Sequence, residues 1–316
     1  MFRFIHLLYV PTMNCNMRCS YCYLGEATNE LKSDKSYLET LRFAVDKFLA
    51  ADVVPFNISL HGGEVTTLSK GDFRDLIAFI SSYYAEKRAL LVENGFKVGV
   101  PHIKTNLFQL DRHLDTIRDY NVSISGSLDL PLSMHDKYRV TKGGKGTLET
   151  ILRNIAMLAE LPNRKKVSST IFKEHVEHLD EIVADIRFLS DNTCLDMNDF
   201  NLMVGFTPQL DSPVKLTALS EEDQVLLYKR LHQEFLGTDL EPGLKNAWFA
   251  EFSPAYCTNC DNCGEKFFLL EKNGDIYSCV RGQGNPDFYY GNIYRDSVEE
   301  ILLRAKSQIY LVHAAS

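Results

Sequence analysis

Seven of the eight cysteines in this 316-residue chain fall in two groups, and their spacing suggests metal chemistry. Cys15, Cys19 and Cys22 stand in the run C-N-M-R-C-S-Y-C. Three thiolates on one short loop can hold three corners of a cubane iron-sulfur cluster, leaving the fourth iron open to a ligand that is not protein. Zinc is the alternative, but it usually takes four ligands in paired spacings of two to four residues. Cys257, Cys260 and Cys263, followed by Gly274 and Cys279, form the second group. Four thiolates are enough to ligate a complete 4Fe-4S cluster or a structural zinc.

The rest of the composition bounds the setting. At 45% hydrophobic residues the chain has ample material for a buried core. Its formal net charge is −8 and its basic residues are scattered, Arg164-Lys165-Lys166 being a short exception, which argues against a nucleic-acid substrate. The apolar run before Pro11 is too short to span a membrane, and no small-residue cleavage site follows it. The thiols are therefore expected in a reducing cytoplasm, where cysteine clusters mean metal or redox chemistry rather than disulfides.

Elements must hold these cysteines in place. Apolar runs rich in β-branched residues alternate with segments of helical period, the pattern of βα units around a parallel sheet. Strands are expected over 4–10, 56–60, 98–104, 122–127, 166–171 and 200–204, and helices over 37–49, 73–86, 148–161 and 176–189. Six units are fewer than a complete barrel has, so the fold class is α/β, a partial (β/α)6 barrel over 1–206. A bridge and helix occupy 207–236, the helix itself 220–235, and a small C-terminal iron-sulfur domain is expected over 237–316. Within it, Asn273-Gly274 supplies the turn of a hairpin. Ligands of such folds gather where strands end, and Cys15 to Cys22, Gly62-Gly63-Glu64, Thr105-Asn106, and Ser127 with Asp129 follow the first four strands.

The Cys15-x-x-x-Cys19-x-x-Cys22 motif after a first strand resembles the radical S-adenosylmethionine (SAM) family. The resemblance implies that the three cysteines bind a 4Fe-4S cluster whose open iron is chelated by SAM, and that an external one-electron reductant drives SAM cleavage to a 5′-deoxyadenosyl radical. Tyr21 stands where the family places an aromatic residue beside the adenine, although packing would also account for it. Leu60-His61-Gly62-Gly63-Glu64 looks like the family's glycine-rich motif. Its glycines would admit the cofactor and its carboxylate would accept a bond from SAM's ammonium group. Val65 follows where the family often has Pro. Thr105, Asn106, Ser127 and Asp129 match segments that line the nucleoside and substrate pocket in the peptide-modifying branch, but Leu130-Pro131 replaces the Gly that commonly comes next. His135-Asp136-x-x-Arg139 extends the likeness, and Arg139 could hold a carboxylate in a fork or simply be a solvated loop residue. The run from Cys263 to Cys279 resembles the first half of a SPASM domain or a shorter twitch domain, without the later cysteines that complete a SPASM domain. Cys194 stands alone: a radical enzyme can use such a thiol to return a hydrogen atom, and a free cysteine can also be a small buried hydrophobe.

The expected function is a maturase that abstracts hydrogen from a peptide or protein, with oxidation, crosslinking, thioether formation or epimerisation as the outcome. Strand one starts at once, so no N-terminal leader-peptide recognition domain is expected. The alternatives are a sugar or cyclitol dehydrogenase whose second cluster accepts an electron, and a non-enzymatic iron-sulfur or zinc protein. Asp129, Asp136 and Glu64 are the carboxylates near the expected pocket, and geometry has to choose a general base among them.

Overall fold

The computed structural model describes residues 2–25, 33–205, 216–252, 263–280 and 282–314. Among these, the strands are β1 (Arg3–Val10), β2 (Met17–Cys19), β3 (Val53–Leu60), β4 (His102–Thr105), β5 (Ser123–Ser127), β6 (Arg139–Thr141), β7 (Lys165–Ile171), β8 (Asn201–Val204), β9 (Phe267–Glu271), β10 (Asp275–Tyr277) and β11 (Tyr289–Asn292). The helices are α1 (Tyr37–Ala50), α2 (Lys70–Glu93), α3 (Leu114–Asp119), α4 (Leu132–Tyr138), α5 (Leu148–Met157), α6 (Leu179–Asn192), α7 (Glu221–Phe235), α8 (Glu241–Asn246), α9 (Cys263–Lys266) and α10 (Val298–Ala314).

β1, β3, β4, β5, β7 and β8 lie side by side in parallel, which is the expected α/β sheet of six βα units. The helices close its outer face with apolar stripes. Leu41, Ala44, Val45 and Phe48 of α1 and Phe73, Leu76, Ile77 and Ile80 of α2 are buried against it. Each large aliphatic or aromatic side chain of this kind contributes about 1.5–3 kcal/mol on burial. Capping boxes fix two helix starts: Ser36 and Glu39 bond reciprocally at α1, and Ser220 and Asp223 at α7.

The chain after α8 extends the same sheet. Its order is β11-β10-β9-β1-β3-β4-β5-β7-β8, with β9 parallel to β1 from the pair His6 and Phe267 to the pair Val10 and Glu271. The hairpin turns at Asn273-Gly274 as the sequence predicts, with Gly274 at φ +91° and its N–H donating to Glu271 O (2.8 Å).

The structure departs from the expected boundaries for local reasons. β4 begins at His102 rather than 98 because Pro101, just before it, offers no N–H to the ladder. α2 starts earlier, at its Ser69 N-cap, and runs on through good helix formers to Glu93, before Gly95 at φ +82°. The first three residues of the helix expected over 176–189 belong instead to a 3-10 helix, Lys173–His178, and α6 begins at Leu179. Periodicity gave no warning of the two-stranded sheet of β2 and β6, whose strands are three residues each. No helix among the described residues is long and apolar enough to cross a membrane.

The end of the barrel is tied down by Trp248, whose Nε1–H donates to Met197 O (2.7 Å) and whose ring meets Phe200 and Phe235 edge-on. Trp248→Ala should cost about 3–5 kcal/mol of unfolding free energy, read as a shift in urea midpoint at unchanged slope.

Candidate functional site

The segment leaving β1 is held by the segment leaving β3. Gly63 N–H donates to Thr12 O (3.0 Å) and Glu64 N–H to Asn14 O (2.8 Å). A Cβ on Gly62, at φ +136°, would stand 2.3 Å from Thr12 O, and one on Gly63 would stand 2.2 Å from Met13 O. These glycines thus admit the backbone that leads into the cysteine loop, whereas the sequence reading has them admit the cofactor. Beyond it, β2 and β6 pair antiparallel with Cys19 opposite Arg139, and Ser20 N–H donates to Tyr138 O (2.9 Å).

Cys15, Cys19 and Cys22 are partly buried on this loop. Cys15 Sγ accepts from Met17 N–H (3.4 Å) and faces Asn106 Nδ2 at 3.8 Å. Burial, then the neighbouring Glu64, pushes the Cys15 thiol up to about 11. Burial pushes Cys19 up to about 12 against the opposing charge of Arg139. Binding metal cations would displace these protons and stabilise the thiolates.

Glu64 joins three strand ends. Its side chain is buried, with Oε1 accepting from Thr66 N–H (3.0 Å), the Thr66 hydroxyl (2.8 Å) and the Thr105 hydroxyl (2.8 Å), while Oε2 accepts from Asn106 N–H (2.5 Å). Burial raises its pKa, and these four donors oppose the rise. Asn106 continues the network to the cysteine loop, its Nδ2 donating to Asn16 Oδ1 (2.7 Å).

Arg139, buried at 6% exposure, donates from Nη1 to the Tyr21 hydroxyl (2.6 Å), which donates to Asp129 Oδ2 (2.5 Å). Asp129 Oδ1 accepts from Thr170 N–H (3.2 Å), so both its oxygens are engaged and it positions Tyr21. The Tyr21 ring packs near Phe172 (5.6 Å between centroids), with the Arg139 guanidinium 5.8 Å from its own centroid. The rest of the His-Asp-x-x-Arg segment is scaffold. His135 Nδ1 accepts from Asp129 N–H (3.1 Å), so its Nε2 carries the proton toward the Thr147 hydroxyl (3.2 Å). Asp136 Oδ1 accepts from the N–H groups of Thr147 (2.7 Å) and Leu148 (3.0 Å) at the start of α5. Gly146 makes room for it, since a Cβ there would stand 2.3 Å from Asp136 Oδ2.

Cys15, Cys19, Cys22, Tyr21, Glu64, Thr105, Asn106 and Arg139 are therefore linked at one end of the sheet, with Ser127 partly buried at the end of β5. Cys194 is not with them. It follows α6, its Sγ donates to Ile155 O (3.4 Å), and nearby Asp196 bonds to Lys165 O at the start of β7. That is the opposite end of the strands, which corrects the hydrogen-donor candidacy to a packing role. Cys279 packs on the apolar cluster of Leu8, Val10, Met13, Leu24 and Leu269, as does Cys22. Cys257 and Cys260 lie outside the described residues, and of Cys263 only the backbone is described. Sequence reasoning passed over Asn16 and Thr66. The available signal was position, one inside the cysteine run and the other two residues past Glu64.

The donor set fits an anionic cluster with a carboxylate-bearing ligand. Three thiols share a loop beside a buried guanidinium, and Asn16 Nδ2 and Arg139 Nε are buried without a hydrogen-bond partner. No three His, Cys, Asp or Glu side chains among the described residues converge on a single metal position.

The model of the Radical SAM superfamily matches residues 9–189, from β1 into α6. The chain belongs to the radical SAM superfamily. Membership carries a 4Fe-4S cluster and SAM as cofactors. A relative is the cysteine-type anaerobic sulfatase-maturating enzyme of Clostridium novyi, 24% identical over 92% of this chain and 75% of its own length. The solved structure of anSMEcpe with bound AdoMet superposes with a TM-score of 0.70 at 17% identity, covering 97% of this chain and 82% of that one. SuiB of Streptococcus suis bound to S-adenosylmethionine gives 0.66 at 16% identity, covering 95% and 65%. These structural likenesses establish a shared fold.

Two expectations test this radical SAM site. Tyr21→Phe removes the hydroxyl between Arg139 and Asp129 and should cost about 1–3 kcal/mol, measured by urea unfolding; an unchanged midpoint would contradict the bridge. Burial holds His135 neutral, its pKa down at about 4 from 6.5. Between those values the unfolded chain binds a proton that the folded chain does not, so stability should fall as pH drops from 6.5 to 4 and the His135 contribution should level off below. Urea midpoints across that range give the slope.

Proposed function

We propose that this radical SAM enzyme is a maturase that abstracts hydrogen from a peptide or protein substrate. The observation that carries the reading is whole-chain relatedness to a sulfatase-maturating enzyme, spanning 92% of this chain and 75% of that enzyme. Support comes from relatives crystallised with peptides: anSMEcpe with AdoMet and the Kp18Cys peptide, and SuiB with its precursor peptide SuiA.

In this proposal Cys15, Cys19 and Cys22 hold the cluster. When bound, the cluster and SAM supply a 5′-deoxyadenosyl radical by one-electron reduction from an external donor. The residues of the chain bind and orient. Glu64 Oε2, with one N–H already on it, offers its remaining lone pair to SAM's ammonium group. Arg139 offers its unpartnered Nε–H to a carboxylate, and Ser127 and Asn106 line the nucleoside side. Tyr21, anchored by its hydroxyl, presents ring edge and face near the adenine. Cys257, Cys260, Cys263 and Cys279 ligate an auxiliary 4Fe-4S cluster in a SPASM or twitch-like unit.

Anaerobic reconstitution with iron and sulfide, then SAM and dithionite, should yield 5′-deoxyadenosine. Cys15→Ala, Cys19→Ala or Cys22→Ala should abolish it. Two clusters predict about eight iron atoms per chain, falling to about four in Cys279→Ala. The maturase reading further predicts that a cysteine-containing peptide raises 5′-deoxyadenosine formation and changes mass. Turnover of a sugar alcohol with no peptide response would replace it.

A further inference from the structure

The inner face of the sheet carries histidines, serines and lysines below the strand-end groups. His6 shares its strand face with Leu8 and Val10, which pack with Met13 and Leu24 of the cysteine-loop region, while Ile5, Leu7 and Tyr9 face the helices. Ser59 Oγ lies between His6 Nε2 (3.2 Å) and His61 Nε2 (3.0 Å), and His102 Nδ1 meets Ser123 Oγ (3.1 Å). Lys104 lies two residues after His102 on β4, and its charge acts on all three imidazoles. Burial first and Lys104 second hold His6 down to about 4 and His102 to about 3, with His61 also well below its ordinary value.

The register makes a row of this face. Lys104 pairs with Ser125, and Ser125 with Lys166, across β4, β5 and β7. The Ser125 hydroxyl is buried at 1% exposure and has no hydrogen-bond partner. Lys166 Nζ reaches Asn201 Oδ1 (3.0 Å) and Asp199 Oδ1 (3.4 Å), but Asp199 is shared with Arg164, so one carboxylate serves two cations. A buried hydroxyl lacking an acceptor would be costly if nothing ever bound to it, and here it is flanked by lysines in the positive field of a concave face.

We propose that Lys104, Ser125 and Lys166 form a subsite for a carboxylate of the peptide substrate, borne by an acidic side chain or by the peptide's C-terminus. The inference rests on the maturase reading above. The row lies two residues, about 6.6 Å, deeper along β5 than Ser127, so the subsite is separate from the strand-end groups assigned to SAM. An arriving carboxylate accepts the Ser125 hydroxyl and is charge-assisted by the lysines. The neutral histidines around it supply further donors without adding charge when the subsite is empty.

The test uses reconstituted enzyme with SAM and fluorescein-labelled cysteine peptides, read by fluorescence anisotropy. One peptide carries glutamates, its twin carries glutamines, and each is made with a free and an amidated C-terminus. The charged peptide should bind about tenfold more tightly than the fully neutral one. Comparing the four forms tells whether side chain or terminus is the source. Lys104→Gln should erase the difference and Lys104→Arg should keep it, whereas the wild-type comparison needs no variant to fold. Equal binding of charged and neutral peptides overturns the subsite and leaves the maturase reading standing. Binding of none of them overturns both.

Discussion

A guanidinium taken out of water must be matched by the groups around it, and Arg139 is the buried cation on which this site depends. Its side chain reaches Tyr21, through Tyr21 it is coupled to Asp129, and its backbone is the β6 partner of Cys19. One residue therefore sets both the position of the cysteine loop and the charge beside it. Asp129 is fixed in turn by Thr170 N–H and, through its own N–H, by His135. The chain of contacts crosses from the loop after β1 to β7, so the cysteines are positioned by half the barrel.

Glu64 is the second such junction. A carboxylate with four donors is stable in a buried place only if all of them arrive together, and they come from the segments after β3 and β4. Asn106 then passes the constraint to Asn16 within the cysteine run. The glycines work at the same junction from the other side, letting backbone meet backbone at Thr12 and Met13. The motif is a joint between strand ends.

The sequence made the parallel sheet legible because β-branched runs and amphipathic helices alternate at regular intervals, and the strand-end positions of Cys15, Glu64 and Asn106 followed from that rhythm. The cysteine spacing carried the chemistry. Roles that depend on three-dimensional pairing were not legible. Nothing local says that Cys19 sits opposite Arg139, 120 positions away along the chain, or that His135 accepts a bond from Asp129 instead of reaching the pocket. Cys194 was ambiguous for the same reason: its type suggests chemistry, and its place at the start of the strands removes it.

The pairing of β9 with β1 has the same long-range character and brings Cys279 to the apolar cluster beside Cys22. β9 continues the ladder from His6 to Val10 and contributes Leu269 to the apolar cluster on which both Cys22 and Cys279 pack. A parallel ladder fixes register along its whole length, because a one-residue slip would turn Leu269 away from the cluster. The strand that carries the chain toward Cys279 is thereby held against the strand that leads to Cys15. The placement of Cys279 relative to the cysteine loop is thus set by the sheet rather than by a linker.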